Sequence, residues 1–225
     1  MSDYLDCLEI EPSGDAWGTV IWMHGLGADA SDFESIVPML ELSRPVRFVF
    51  PNAPVRPVTI NGGMKMRAWY DIDPRSPLSG DAEIRESAAS IERLIERERE
   101  RGIAAARIVL AGFSQGGVIA LHLGLRHQQR LGGIMALSTY VHDAEHLADE
   151  VSFASVDAPI FMAHGRMDPM IPITRAVTSR EALTRLGYQV EWHEYAMGHQ
   201  VCPEEIKDIA HWVNQVYDSA TTMGR

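Results

Sequence analysis

The sequence predicts an α/β protein, with a mostly parallel central sheet and helices on both faces. Short apolar, β-rich runs alternate along the chain with stretches of helical period, the order from which βαβ units are built. Most of these runs are continuously apolar, as strands covered on both faces must be. At 225 residues and 25.0 kDa, with 46% apolar residues, the chain can bury a core without disulfide staples.

The elements follow in order. Residues 4–10 and 17–23 are extended segments, and the short connection between them permits an antiparallel hairpin but not a parallel crossover. Residues 47–50 form an apolar run stopped by Pro51. From 82 to 101, Ile84, Ala88, Ile91 and Ile95 recur at spacings of four, three and four, which places them on one helix face, with Gly102 as the stop. Arginines in 93–101 are interspersed with Glu92, Glu96, Glu98 and Glu100, the pattern of a solvated helix face. Apolar runs at 107–111, 133–137 and 159–163 and the extended segment 189–195 read as further strands. Residues 116–126, 174–186 and 204–217 read as helices, with Gly187 closing the second and Pro203 opening the third.

No linker, repeat or low-complexity tract interrupts the chain, so residues 1–225 are expected to form a single domain. Residues 51–80 hold five prolines and three glycines without a clear period. A segment of that kind is expected to be a lid or pocket wall, centred on residues 55–78.

The charge count, 20 basic against 31 acidic residues, gives −11. Such a chain repels nucleic-acid phosphates and anionic membranes. No apolar run reaches the length of a membrane span, so neither nucleic-acid binding nor stable membrane insertion is expected. Cys7 and Cys202 are the only cysteines, which excludes a disulfide framework but not a single bridge. The N-terminus lacks the charged and apolar regions of a signal peptide, and a cytoplasmic location is expected.

The chemistry begins at Gly112-Phe113-Ser114-Gln115-Gly116, of the form G-x-S-x-G. A chain this long matches that pattern by chance about once in ten. Context sharpens it: an apolar run precedes it and a helix follows, the strand–turn–helix setting of a nucleophile elbow. A serine hydroxyl needs a base, and the base needs a carboxylate to hold one tautomer. Asp168 lies just past the run 159–163, at the sheet edge where open α/β sheets bind ligands; Asp157 precedes that run and belongs at the wrong edge. Among nine histidines, His199 follows the last strand on a loop, whereas His122, His127 and His211 fall in helical stretches. His142 and His146 are four apart but lack further ligands nearby, and no H-E-x-x-H occurs. No metal site is read. The loop His24-Gly25-Leu26-Gly27 follows an early strand, where a backbone N–H can meet a developing oxyanion. Leu26 and Gln115, the residue after the serine, are the expected donors. The loop completes no G-x-G-x-x-G, so no nucleotide site is read.

Together these residues resemble the phospholipase/carboxylesterase family of α/β-hydrolases. The resemblance rests on His24-Gly25-Leu26-Gly27 with Asp29, on residues 51–54 (PNAP), on Trp69-Tyr70-Asp71, on residues 112–117, on His164-Gly165 with Asp168 and Pro172, and on Gly198-His199. It spans nearly the whole chain. It implies an α/β-hydrolase fold, a Ser114–Asp168–His199 triad, and an oxyanion hole from the Leu26 and Gln115 amides. It implies that Met64, Met66 and Trp69 border an acyl pocket, a role suited to adaptable methionines. It also implies a small-molecule or acyl ester substrate, no cofactor, and a homodimer as in bacterial members. The function expected is that of a serine carboxylesterase. An acyl-protein thioesterase or lysophospholipase would use the same machinery, and a non-catalytic binding protein on this fold is the rival of a different class.

Overall fold

The structure is a computed structural model that describes residues 4–76 and 79–223. Its strands, in chain order, are β1 (Cys7–Ile10), β2 (Gly18–Met23), β3 (Val46–Pro51), β4 (Val55–Val58), β5 (Met64–Arg67), β6 (Ile108–Phe113), β7 (Gly133–Leu137), β8 (Ile160–Gly165) and β9 (Val190–Tyr195). Its helices are α1 (Asp81–Glu100), α2 (Gln115–Arg126), α3 (Leu147–Glu150), α4 (Ile173–Arg185) and α5 (Pro203–Met223). Seven strands form one sheet in the order β1-β3-β2-β6-β7-β8-β9. All neighbours in it are parallel except β1 and β3.

Alternation along the strands builds two cores. Ile21, Met23, Ile108, Leu110, Ile134, Ala136, Ile160 and Met162 face a layer made by α1, α2 and Leu183 of α4. Val20, Trp22, Val109, Ala111, Met135, Leu137, Phe161 and Ala163 face α5 and the 3₁₀ turn Glu34–Met39. Both faces are apolar, which is why the strands read as continuous apolar runs. α1 buries the predicted stripe of Ile84, Ala88, Ile91 and Ile95 against the sheet.

Four expectations need correction. The first two strands do not pair with each other: β3 lies between them, and β1 runs antiparallel along β3 at the sheet edge. The strand fits the edge because it is only half-buried and carries the polar Glu9. β6 extends through Gly112 to Phe113, and α5 continues past residue 217. The 93–101 helix face is not simply solvated. Glu98 is fully buried, accepts hydrogen bonds from Thr19 Oγ1 at 2.9 Å and Arg47 Nη1 at 2.7 Å, and pairs with Arg97 and Arg101. Finally, the 55–78 stretch contains structure. β4 and β5 form an antiparallel hairpin, joined by the 3₁₀ turn Thr59–Asn61 and a Gly62-Gly63 reversal. Two four-residue strands, one with Pro57 inside it, are too short to show a period. Residues 77 and 78 of that stretch lie outside the described residues.

Cys7 and Cys202 are unpaired. Among the described residues no helix is long and apolar enough to cross a membrane.

Candidate active site

Three parallel strands deliver three side chains to the sheet's C-terminal edge. Ser114 sits in the one-residue joint between β6 and α2 with φ 54° and ψ −118°. This is a conformation that non-glycine residues rarely hold, at a cost of about 1–3 kcal/mol. The surroundings enforce it. Ser114 N–H donates to Leu137 O at 2.9 Å, and Ser114 O accepts from Gly117 N–H at 3.0 Å and from Thr139 Oγ1 at 2.7 Å. A Cβ on Gly116 would collide with the Met23 backbone, and one on Gly112 with Gly116 itself. The two glycines therefore let helix and strands close around the turn.

His199 follows β9 and Asp168 follows β8. His199 Nε2 lies 2.9 Å from Ser114 Oγ, and its Nδ1 lies 2.7 Å from Asp168 Oδ2. With the carboxylate accepting from Nδ1–H, Nε2 is left to accept from the serine hydroxyl. The Asp168 side chain is fully buried and that of His199 is 17% exposed. Asp168 Oδ1 accepts from the Met170 and Ile171 amides at 2.8 and 2.9 Å. Burial pushes this carboxyl's pKa up, but those amides and the imidazole outweigh it, and the net result lies below the ordinary carboxylate value. The Phe113 ring packs on the imidazole, with centroids 4.8 Å apart.

The His24–Gly27 loop leaves β2 beside this row. Among the described residues, the Leu26 and Gln115 amide N–H groups have no hydrogen-bond partner. They are free donors at the end of β2 and the start of α2. The whole arrangement can carry a proton from a hydroxyl to an imidazole and offer N–H groups to a new negative charge.

The Phospholipase/Carboxylesterase family profile matches residues 5–217. The chain belongs to this family. Its members are hydrolases of the serine esterase type, and the fold is that of the α/β-hydrolases. The chain is 38% identical over 207 residues to acyl-protein thioesterase 1 of Gibberella zeae, covering 85% of this chain and 87% of that one. It is 36% identical over 206 residues to acyl-protein thioesterase 1 of Yarrowia lipolytica, covering 88% and 91%. The solved structure of esterase PE8 superposes with a TM-score of 0.84 at 26% identity, covering 95% of this chain and 99% of that one.

The three residues expected to border an acyl pocket lie in different surroundings. Met66 lies over the His24–Gly27 loop, its Sδ 3.7 Å from where a Gly27 Cβ would be. Met64 stands on the hairpin, 65% exposed. Trp69 differs: it is fully buried, so it has no free face to line a pocket. Its indole N–H donates to His24 O at 2.9 Å, and its amide donates to Gln115 Oε1 at 3.0 Å. It is a brace behind the loop. An apolar residue in a sequence carries no mark of which side of a wall it occupies.

Two further residues beside the row had no role in the sequence reading. Thr139 supports the elbow from the end of β7, and no motif announces it. His164 is fully buried, donates from Nε2 to Ile171 O at 2.9 Å, and lies 3.4 Å from Asp168 Oδ2. The resemblance had drawn on it in His164-Gly165 without giving it a role. His142 and His146 lie in a turn region, where His146 Nδ1 is 2.8 Å from Asp143 Oδ1.

Proposed function

We propose that this chain is a serine carboxylesterase that hydrolyses acyl esters through a Ser114–His199–Asp168 triad and an acyl-enzyme. The observation that carries this reading is the unbroken row from Ser114 Oγ through both ring nitrogens of His199 to the buried Asp168, with steps of 2.9 and 2.7 Å. Ser114 Oγ attacks the ester carbonyl as its proton passes to His199 Nε2. The tetrahedral oxyanion accepts from the Leu26 and Gln115 amides. The C–O bond to the alcohol then breaks, and the alcohol leaves with the proton from Nε2. Water enters by the same route, giving its proton to Nε2 and its oxygen to the acyl carbon. Ser114 recovers the proton as the acid departs. Asp168 holds the imidazole in register and stabilises the imidazolium without taking the proton. No step requires a metal or cofactor.

Exposed methionines support an acyl substrate. Met167 and Met170 flank Asp168 and are 64% and 70% exposed, as Met64 is on the hairpin. Their flexible thioethers suit alkyl chains of varied length. The names of the two curated relatives favour a second reading, an acyl-protein thioesterase. A lysophospholipase would use the same tetrahedral chemistry. The test is kinetic: matched oxygen esters and thioesters of rising acyl length, with wild type and Ser114→Ala. The proposal expects wild-type turnover and a loss of about 10⁶ in kcat for the variant. A kcat/KM for thioesters far above that for the matched esters selects the second reading. Hydrolysis retained by Ser114→Ala removes both. A homodimer, implied by the family resemblance, remains part of this proposal, and sedimentation measures it.

A further inference from the structure

The proposed reaction needs two amides aimed at one point. The elbow holds the Gln115 amide. The Leu26 amide sits on a loop, and a loop peptide turns unless something grips it. A trans peptide is a rigid plane with C=O and N–H on opposite edges. Whatever fixes the Gly25 carbonyl therefore fixes the direction of the Leu26 N–H.

His24 makes that grip. Its Nδ1 lies 2.7 Å from Gly25 O, and a carbonyl only accepts, so Nδ1 carries the proton. The other nitrogen agrees: Nε2 accepts from the Ala53 amide N–H at 3.1 Å. The residue is 2% exposed, and burial holds its imidazole below the ordinary histidine pKa. The other bond to Gly25 O, from Ala28 N–H, is long at 3.3 Å. The loop is tied on either side as well, by the Trp69 indole on His24 O and by Gly27 N–H donating to Arg67 O at 2.9 Å. Gly25 lies against the nucleophile: a Cβ there would be 3.5 Å from Ser114 Cβ.

We propose that His24 is a positioning residue of the oxyanion hole: by binding the Gly25 carbonyl it sets the Gly25–Leu26 peptide plane and aims the Leu26 N–H at the acyl oxygen. This rests on the serine-esterase reading above and deepens it. The imidazole touches no substrate atom and takes no proton from the reaction.

Two substitutions separate the ring's two contacts. In His24→Asn the amide nitrogen falls near the place of Nδ1 and keeps the grip on Gly25 O. In His24→Gln the amide oxygen falls near the place of Nε2 and keeps only the Ala53 contact. The expected result is asymmetric. His24→Asn retains kcat within about threefold of wild type, and His24→Gln loses about 10–100-fold in kcat with KM unchanged. A trifluoromethyl ketone bearing the same acyl chain forms an oxyanion on Ser114. Its inhibition constant weakens in His24→Gln by the same factor as kcat/KM. Equal losses in both variants, a larger loss in His24→Asn, or an effect on KM alone overturns the proposal. Should neither variant fold, ¹⁵N spectra of the wild-type histidines decide. A His24 protonated on Nδ1 supports the grip, and one protonated on Nε2 overturns it. That readout needs no turnover, so its failure is distinct from failure of the esterase reading, which shows as a wild type without hydrolysis.

Discussion

Glu205 occupies the first turn of α5 with its side chain fully buried and neither carboxylate oxygen hydrogen-bonded to another side chain. Burial, helped by nearby Asp208, pushes its pKa up from 4.5 to about 8. The folded state thus holds this proton more tightly than the unfolded chain does. Its favourable contribution is complete below about pH 4.5 and is lost as pH rises toward 8. Glu205→Gln keeps the shape and removes the charge. Thermal melts should show little change in Tm at pH 4.5 and a gain of at least about 5 °C at pH 8. An equal change at both pH values contradicts this account. Single residues also mark how far the sequence could be read. The convergence of Ser114, Asp168 and His199 was legible because each lies just past a strand, in the chain order a Ser–Asp–His row takes on such a sheet. Trp69 and Glu98 were not, because burial and hydrogen-bond partners come from distant segments. Trp69 meets residues 24 and 115, and Glu98 meets residues 19 and 47.

At the scale of elements, the elbow is a strand and a helix pressed together until only glycine fits. Gly116→Ala places a methyl against the Met23 backbone, which cannot swing aside as a side chain can. The turn must open, moving Ser114 and the Gln115 amide together. The expected cost is about 1–3 kcal/mol in a urea titration, with kcat reduced about 10²-fold or more and the fold retained. Unchanged kcat would show that the contact relaxes without moving Ser114. The long helices were legible from their apolar period and the central strands from their unbroken apolar runs. The β4–β5 hairpin was not. Its strands are four residues each, and it is anchored by contacts no local pattern encodes: Asp71 accepts from Thr59 N–H at 2.7 Å and from Thr59 Oγ1 at 2.6 Å.

For the molecule as a whole, one buried carboxylate joins the sheet to its largest helix layer. Glu98 on α1 reaches Thr19 on β2 and Arg47 on β3. Arg97 and Arg101 continue the pairing to Glu9 on β1, and Arg47 and Arg101 both bind Glu11 just beyond it. Burial disfavours the Glu98 charge, and bonds from Arg47 and Thr19 more than offset it, so its pKa lies below the ordinary value. Glu98→Ala leaves Arg47, 11% exposed, short of a partner. The expected loss is about 3–5 kcal/mol in denaturant titrations, and a loss under about 1 kcal/mol contradicts that role. The same view explains the edge strand. With β1 beside β3, Glu9 and Glu11 of the first segment meet Arg97 in the last turn of α1 and Arg101 just past it, a pairing across about ninety residues that a short connecting loop conceals.

The proposed function makes Ser114 the one nucleophile, activated by His199. Intact-protein and peptide mass spectrometry after reaction with a serine-directed organophosphorus ester tests this most directly. The prediction is one adduct per chain, on Ser114, with hydrolysis lost in proportion to labelling. An adduct elsewhere, or full labelling of Ser114 with hydrolysis intact, contradicts it.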